Sequence, residues 1–284
     1  MKFVWFSALM LVLGFSNNPK TLSAVQKKKT SPAKHSSPVA KYKAPALQIK
    51  VGVLIDVPST VVASSQTAYI LDRNSRPLKS IAANQPITVQ PKVNGLILNN
   101  QDLPSVVLLQ PAAGGFVYIG NKWYRGKVLL VSQGTSLIAV NYVDLEHYLY
   151  SVVGSEMDPE EHIEALKAQA IAARSYALVH IIRPANRWFD LGRTERWQAY
   201  NGLSKEFNTT QKAVELTAGQ ILSYKGGVVE SIYADSDYLV ATAHQGLGMS
   251  QRGAYQLAAQ GYNYQQILGR YYPGVNLARL VIKK

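Results

Sequence analysis

Cysteine is absent from the 284 residues, which excludes disulfides and the usual thiolate zinc sites. Acidic residues are absent from the first fifty positions, which hold nine lysines: Lys2, Lys20, Lys27, Lys28, Lys29, Lys34, Lys41, Lys43 and Lys50. Of the 30 lysines and arginines, 21 remain for the rest of the chain against all 17 acids, a balance of about +4. The net charge of +13 therefore belongs to a tail and not to a folded basic face, so nucleic acid is not indicated as a partner. Long apolar runs are scarce too. The one in MKFVWFSALMLVLGF covers Phe3 to Phe15 behind a single lysine, which is short for a bilayer span and suits the apolar region of a secretory signal.

Several chemical signatures are also missing. The five histidines (His35, His147, His162, His180 and His244) form no His-Glu-x-x-His pair, so no metal site is expected. No serine sits in a Gly-x-Ser-x-Gly elbow, and the Ser-x-x-Lys match, Ser31-Pro32-Ala33-Lys34, lies in the basic tail. Gly246-Leu247-Gly248 lacks the third glycine and the preceding strand of a nucleotide fingerprint. No cofactor is implied.

The remaining pattern predicts an exported α+β protein. Residues 1–26 read as a signal peptide, with Ser23-Ala24 as a cleavage site, or as an uncleaved anchor in contact with the membrane. Residues 27–46, rich in Lys, Pro, Ser and Ala without apolar periodicity, read as a disordered tether. Residues 47–142 carry short apolar runs punctuated by Gly, Asn and Pro, the pattern of a β-rich module; Phe116–Ile119 and Lys122–Arg125 flank a hairpin turn at Gly120-Asn121. Residues 143–284 read as a helical domain, which the family resemblance given below implies to be of catalytic type. Within it, Ile163, Leu166, Ala170, Ala173 and Ala177 form one stripe of a long Ala-rich helix expected at the centre of the fold. Further helices are expected from about Asn208 to Gly219, in MSQRGAYQLAAQG, and in YNYQQILGRYYPG, with a hairpin at Lys225-Gly226-Gly227.

The segment GSEMDPEE raises a functional question. Asp158, Pro159 and Glu161 look like the cap, first position and capping-box acid of the long helix, which leaves Glu156 in a loop just outside its N-terminus. Such an acid is either an exposed loop carboxylate or a general acid/base. A helix N-terminus favours the ionised form, so the second role requires burial strong enough to hold the proton.

Two motifs resemble the stage II sporulation protein D (SpoIID)/LytB family. One is VDLEHYLYSVVGSEMDPEEHIEALKAQAIAARSYAL, residues 143–178; the other is HQGLGMSQRGA, His244 to Ala254, followed by Tyr271-Tyr272-Pro273-Gly274. The resemblance implies an envelope protein, in periplasm or cell wall, that acts on peptidoglycan. It would be either a lytic transglycosylase cleaving glycan strands to 1,6-anhydro-muramyl products, or a non-catalytic glycan binder or enhancer of a cell-wall amidase. It places the catalytic acid/base on Glu156 and puts Arg174, Tyr176, His244 and Gln251 at positions that line or support a substrate groove. The sequence departs from the family where Tyr233-Ala234-Asp235-Ser236-Asp237 replaces a His-Ser-Thr-Ser-Gly-Gly-type segment. Only Tyr238 to Ala243 then precede His244, and Gln245 stands where glycine is usual.

Overall fold

The computed structural model of the protein describes residues 42–281. The expected leader and most of the expected tether lie outside them. The tether expectation fails at its last residues. The Tyr42 hydroxyl donates to the Leu280 carbonyl at 2.5 Å, and the Arg279 guanidinium lies over the Tyr42 ring at 4.5 Å. The ring rests against Gly219, where any side chain would collide with it.

Residues 48–144 form twelve strands: β1 (Gln48–Val57), β2 (Thr60–Ser64), β3 (Ala68–Leu71), β4 (Pro77–Ile81), β5 (Ile87–Lys92), β6 (Gly95–Leu98), β7 (Gln101–Leu103), β8 (Val106–Pro111), β9 (Phe116–Ile119), β10 (Lys122–Arg125), β11 (Lys127–Ser132) and β12 (Leu137–Asp144). One sheet runs β1-β12-β11-β8-β3-β4, and the other β10-β9-β2-β5-β6-β7. The β9/β10 hairpin turns at Gly120-Asn121 as its sequence predicts, pairing Ile119 with Lys122, with Gly120 at φ +66. Alternate residues of the two sheets meet face to face. Val62, Val89, Leu96 and Val117 of one and Leu109, Val128 and Leu130 of the other are completely buried in a common core.

The chain passes from β12 into α1 (Leu145–Glu156), then α2 (Ile163–Ile182). Next come β13 (Leu191–Gly192), a 3-10 turn at Gly202–Lys205, α3 (Asn208–Leu216), β14 (Gln220–Tyr224) and β15 (Gly227–Val228). The final elements are β16 (Tyr233–Ala234), α4 (Asp237–Ala243), β17 (Met249–Ser250), α5 (Gln251–Ala259), α6 (Tyr264–Tyr271) and β18 (Asn276–Arg279). The result is a mixed α+β fold. β13 adds a parallel edge to the first sheet beside β1, so the strand-rich and helix-rich parts share a sheet.

α2 is buried on nearly all sides, with Ala165, Leu166, every residue from Ala168 to Ser175, and Ala177 to Val179 shielded from solvent. Its alanines let α1, α3, α5, α6 and β14 pack around it, which explains the central position that the sequence implies. Among the described residues no helix is long and apolar enough to cross a membrane.

Candidate functional site

The site begins with the way α1 ends. Asp144 caps the helix, its carboxylate accepting from the backbone N–H groups of Glu146 and His147. The helix then runs through Gly154 and Ser155 and stops at Glu156, where Met157 turns extended (φ −132, ψ 154). Gly154 supplies space: a Cβ there would collide with the Lys205 carbonyl and the Phe207 ring.

This placement corrects the sequence expectation. Glu156 is the last residue of α1, not a loop residue at the start of α2. Asp158 does not cap α2; it folds a local turn, its Oδ1 accepting from the Glu160 N–H at 2.9 Å and its carbonyl from the Glu161 N–H at 3.1 Å. His162 is the cap instead, its Nδ1 accepting from the Glu164 N–H at 3.3 Å. The change reverses the sign of an electrostatic contribution. A helix C-terminus carries partial negative charge, so α1 opposes ionisation of Glu156, where an N-terminus would favour it.

Glu156 is half-buried, and its environment contains hydrogen-bond donors but no countercharge. Oε1 accepts from the Ala199 N–H at 2.6 Å and Oε2 from Gln251 Nε2 at 3.4 Å. Burial pushes the carboxyl above its ordinary pKa, the two hydrogen bonds pull it back in part, and nearby Glu195 raises it further. No cation is among the described groups that shift it. Three tyrosines feel its charge. Tyr148 and Tyr233 are held well above their usual pKa, chiefly by burial, with Glu156 adding to it. Tyr176 is raised to about 12 by burial, then by Glu230 and by Glu156.

The Ala199 donor is fixed by its neighbour. Gln198 is fully buried, accepts from the Tyr148 hydroxyl at 3.0 Å, and donates to the Ala173 carbonyl at 3.2 Å and the Tyr233 hydroxyl at 2.9 Å. On the other side of Ala199, the Asn201 N–H reaches Ser151 Oγ and its Nδ2 reaches Ser155 Oγ, both at 3.2 Å. The segment 198–201 is thus bonded to α1, α2 and β16 at once. Sequence reasoning missed Tyr148, Gln198, Ala199 and Tyr233. The available signal was an amide between aromatic neighbours in Trp197-Gln198-Ala199-Tyr200, but only the tertiary fold brings it to Glu156.

Of the residues expected around Glu156, the structure brings Gln251 and Tyr176 to it. Tyr176 also packs against His180, ring centroids 4.6 Å apart. Arg174 is a correction: it has no solvent exposure and lines no groove. Its guanidinium pairs with both oxygens of Glu146 (Nε–Oε1 2.8 Å, Nη2–Oε2 2.7 Å) and donates to the carbonyls of Gln220 and Val214. It ties α1, α2, α3 and β14 together. His244 closes α4, its backbone N–H donating to the Val240 carbonyl, and among the described residues no hydrogen bond joins it to Glu156. The short run before it forms α4, a helix unforeseen from the sequence that connects β16 to its parallel partner β17. Among the described residues there is no cluster of three or more potential metal ligands.

Residues 133–224 match the family model described as SpoIID, stage II sporulation protein. An uncharacterised protein of Brachyspira hyodysenteriae is 33% identical over 156 residues, 55% of this chain and 42% of that one. The amidase enhancer of Bacillus subtilis is 36% identical over 89 residues, 31% of this chain and 12% of that one. Stage II sporulation protein D of Bacillus amyloliquefaciens is 33% identical over 115 residues, 35% of this chain and 33% of that one. The chain spans less than half the length of each of these relatives.

Proposed function

The chain belongs to the SpoIID/LytB family, and from that premise we propose that it is a lytic transglycosylase of the bacterial cell envelope with Glu156 as its acid/base. The family ties the chain to cell-wall function. The observation that carries the finer reading is the environment of Glu156: a half-buried carboxyl at a helix C-terminus, with its pKa raised and no cation among the described groups that shift it.

A lone carboxyl of this kind suits a reaction in which one group gives and then recovers a proton. Glu156 donates its proton to the glycosidic oxygen while the bond from C1 of the muramic acid residue to that oxygen breaks, its electron pair leaving with the oxygen. The resulting carboxylate accepts the proton of the same sugar's 6-hydroxyl as that oxygen bonds to C1. The product is a 1,6-anhydro ring, the enzyme regains its proton, and neither water nor a second carboxylate takes part. The Ala199 N–H and the Gln251 amide stabilise the transient carboxylate, so the proton is held but can be released.

The test is incubation of the full chain with purified glycan strands and mass spectrometry of the products. Anhydro-muramyl fragments are expected, with a loss of about 100-fold or more in Glu156→Gln, the scale of general acid catalysis. Undiminished release by that variant would remove Glu156 from the mechanism. The B. subtilis relative named amidase enhancer favours a second reading, in which this chain stimulates a cell-wall amidase without cleaving glycan. Stimulation of an amidase in the absence of anhydro products, equally in Glu156→Gln, would select it.

A further inference from the structure

A cavity of about 560 Å³ lies between α4, α5 and α6, lined by Asp237, Gln256, Leu257, Gln260, Arg270 and Tyr271 around Gly253. Two of the lining side chains, Asp237 and Tyr271, are held from behind by a buried serine. Ser250, fully buried, donates from Oγ to Asp237 Oδ2 at 3.0 Å and also hydrogen-bonds Tyr271. Gly253 permits this arrangement: a Cβ would collide with the Tyr271 hydroxyl and stand 3.1 Å from both the Asp237 carboxylate and the Ser250 hydroxyl. Asp237 and Arg270 bring opposite charges to the same cavity, and neither enters an ion pair among the described residues. Ser250, which hydrogen-bonds the lining residue Asp237, directly precedes Gln251, which hydrogen-bonds Glu156.

We propose that this cavity binds a zwitterionic amino-acid end of a peptide, with the ammonium group at Asp237 and the carboxylate at Arg270. Gln256 and Gln260 supply donors and acceptors for the peptide groups, and Leu257 covers the aliphatic portion. The two unpaired charges decide between peptide and sugar. A peptide-free muramic acid sugar could pair Arg270 through its lactyl carboxylate, but it offers no cation to Asp237 and would cover that carboxylate at a desolvation cost. A zwitterion matches both, and a guanidinium pairs a carboxylate through two parallel hydrogen bonds. The source of the peptide, a stem on the same wall polymer whose diamino acid ends in a free ammonium and a free carboxylate, rests on the function proposed above. The binding itself does not.

The experiment is calorimetric titration of the full chain with three probes. These are the tripeptide N-acetyl-L-alanyl-γ-D-glutamyl-meso-diaminopimelate, the same peptide acetylated also on its side-chain amine, and a peptide-free N-acetylglucosamine–N-acetylmuramic acid disaccharide. Saturable binding of the free tripeptide is expected, weakened about tenfold or more by acetylation and by Arg270→Ala, and falling as salt rises. Arg270 and Gln256 are exposed, and circular dichroism verifies that their variants remain folded. No tripeptide binding, or binding unchanged in Arg270→Ala, overturns the proposal. So does disaccharide binding that Arg270→Ala and Gln256→Ala both abolish while the tripeptide fails to bind, which would assign the cavity to sugar. Glycan cleavage without tripeptide binding defeats this inference alone, and tripeptide binding without cleavage defeats the transglycosylase alone.

Discussion

Glu156 and Glu161 lie five positions apart, and burial raises the pKa of both, yet their surroundings differ. Glu156 keeps two hydrogen-bond donors, whereas one buried Glu161 carboxylate oxygen has no partner among the described residues. Burial, with Asp158 adding to it, raises Glu161 to about 7 from an ordinary value of 4.5. An acid whose pKa is higher folded than unfolded favours the fold while it stays protonated, and that contribution is lost as pH rises through the folded value. Glu161→Gln should therefore melt higher than the parent at pH 8 and match it at pH 4, a comparison that thermal unfolding at the two pH values settles. The same sign applies to activity at Glu156. Glycan cleavage should fall as pH rises through its raised pKa, because the proton to be donated is gone. Arg174 belongs to this scale as well. Arg174→Ala strands Glu146 in a largely buried position, and the expected destabilisation is about 3–5 kcal/mol by urea denaturation, the scale for breaking a buried pair.

Between α1 and α2, side-chain chemistry was easier to read than position. The hairpins at Gly120-Asn121 and Lys225-Gly226 follow from local turn chemistry, and they and α6 stand where the sequence indicates. Asp158-Pro159 misled because an aspartate that can cap a helix can equally close a turn, and nothing local distinguishes the two. Gly154 misled in another way. In sequence it opens the GSEMDPEE segment expected as a loop, whereas in the fold it is a helical residue kept small by the 3-10 turn pressed against it. Glu156 was legible as a candidate acid; its electrostatic setting was not, because that depends on which helix owns it. Arg174 was expected at a groove, and its burial depends on Glu146, 28 residues earlier. Gly154→Ala tests the element directly. The last turn of α1 must shift to clear the Lys205 carbonyl, carrying Glu156 away from the Ala199 N–H. Glycan cleavage should drop by about 100-fold, consistent with the sensitivity of catalysis to ångström displacements, while circular dichroism shows the helices retained.

Across the whole molecule, one hydrophobic core passes from the paired sheets through α1 and α2 to α5 and α6, so the strand-rich and helical parts are joined by a shared interior. Tyr42 closes the described chain on itself across 238 positions. Tyr42→Phe deletes one hydrogen bond and keeps the ring beneath Arg279, and a loss of about 1 kcal/mol is expected in chemical denaturation. The same contact sets the route that mechanical tension takes. A load on Tyr42 is shared between the backbone leading into β1 and Leu280, whose N–H is bonded to the Gly219 carbonyl; the Gly219 N–H is bonded in turn to Glu146, the partner of Arg174. Tyr42 thus gives the described chain a second anchorage beside the backbone that leads into β1, and it ends at the buried Arg174–Glu146 pair at the start of α1.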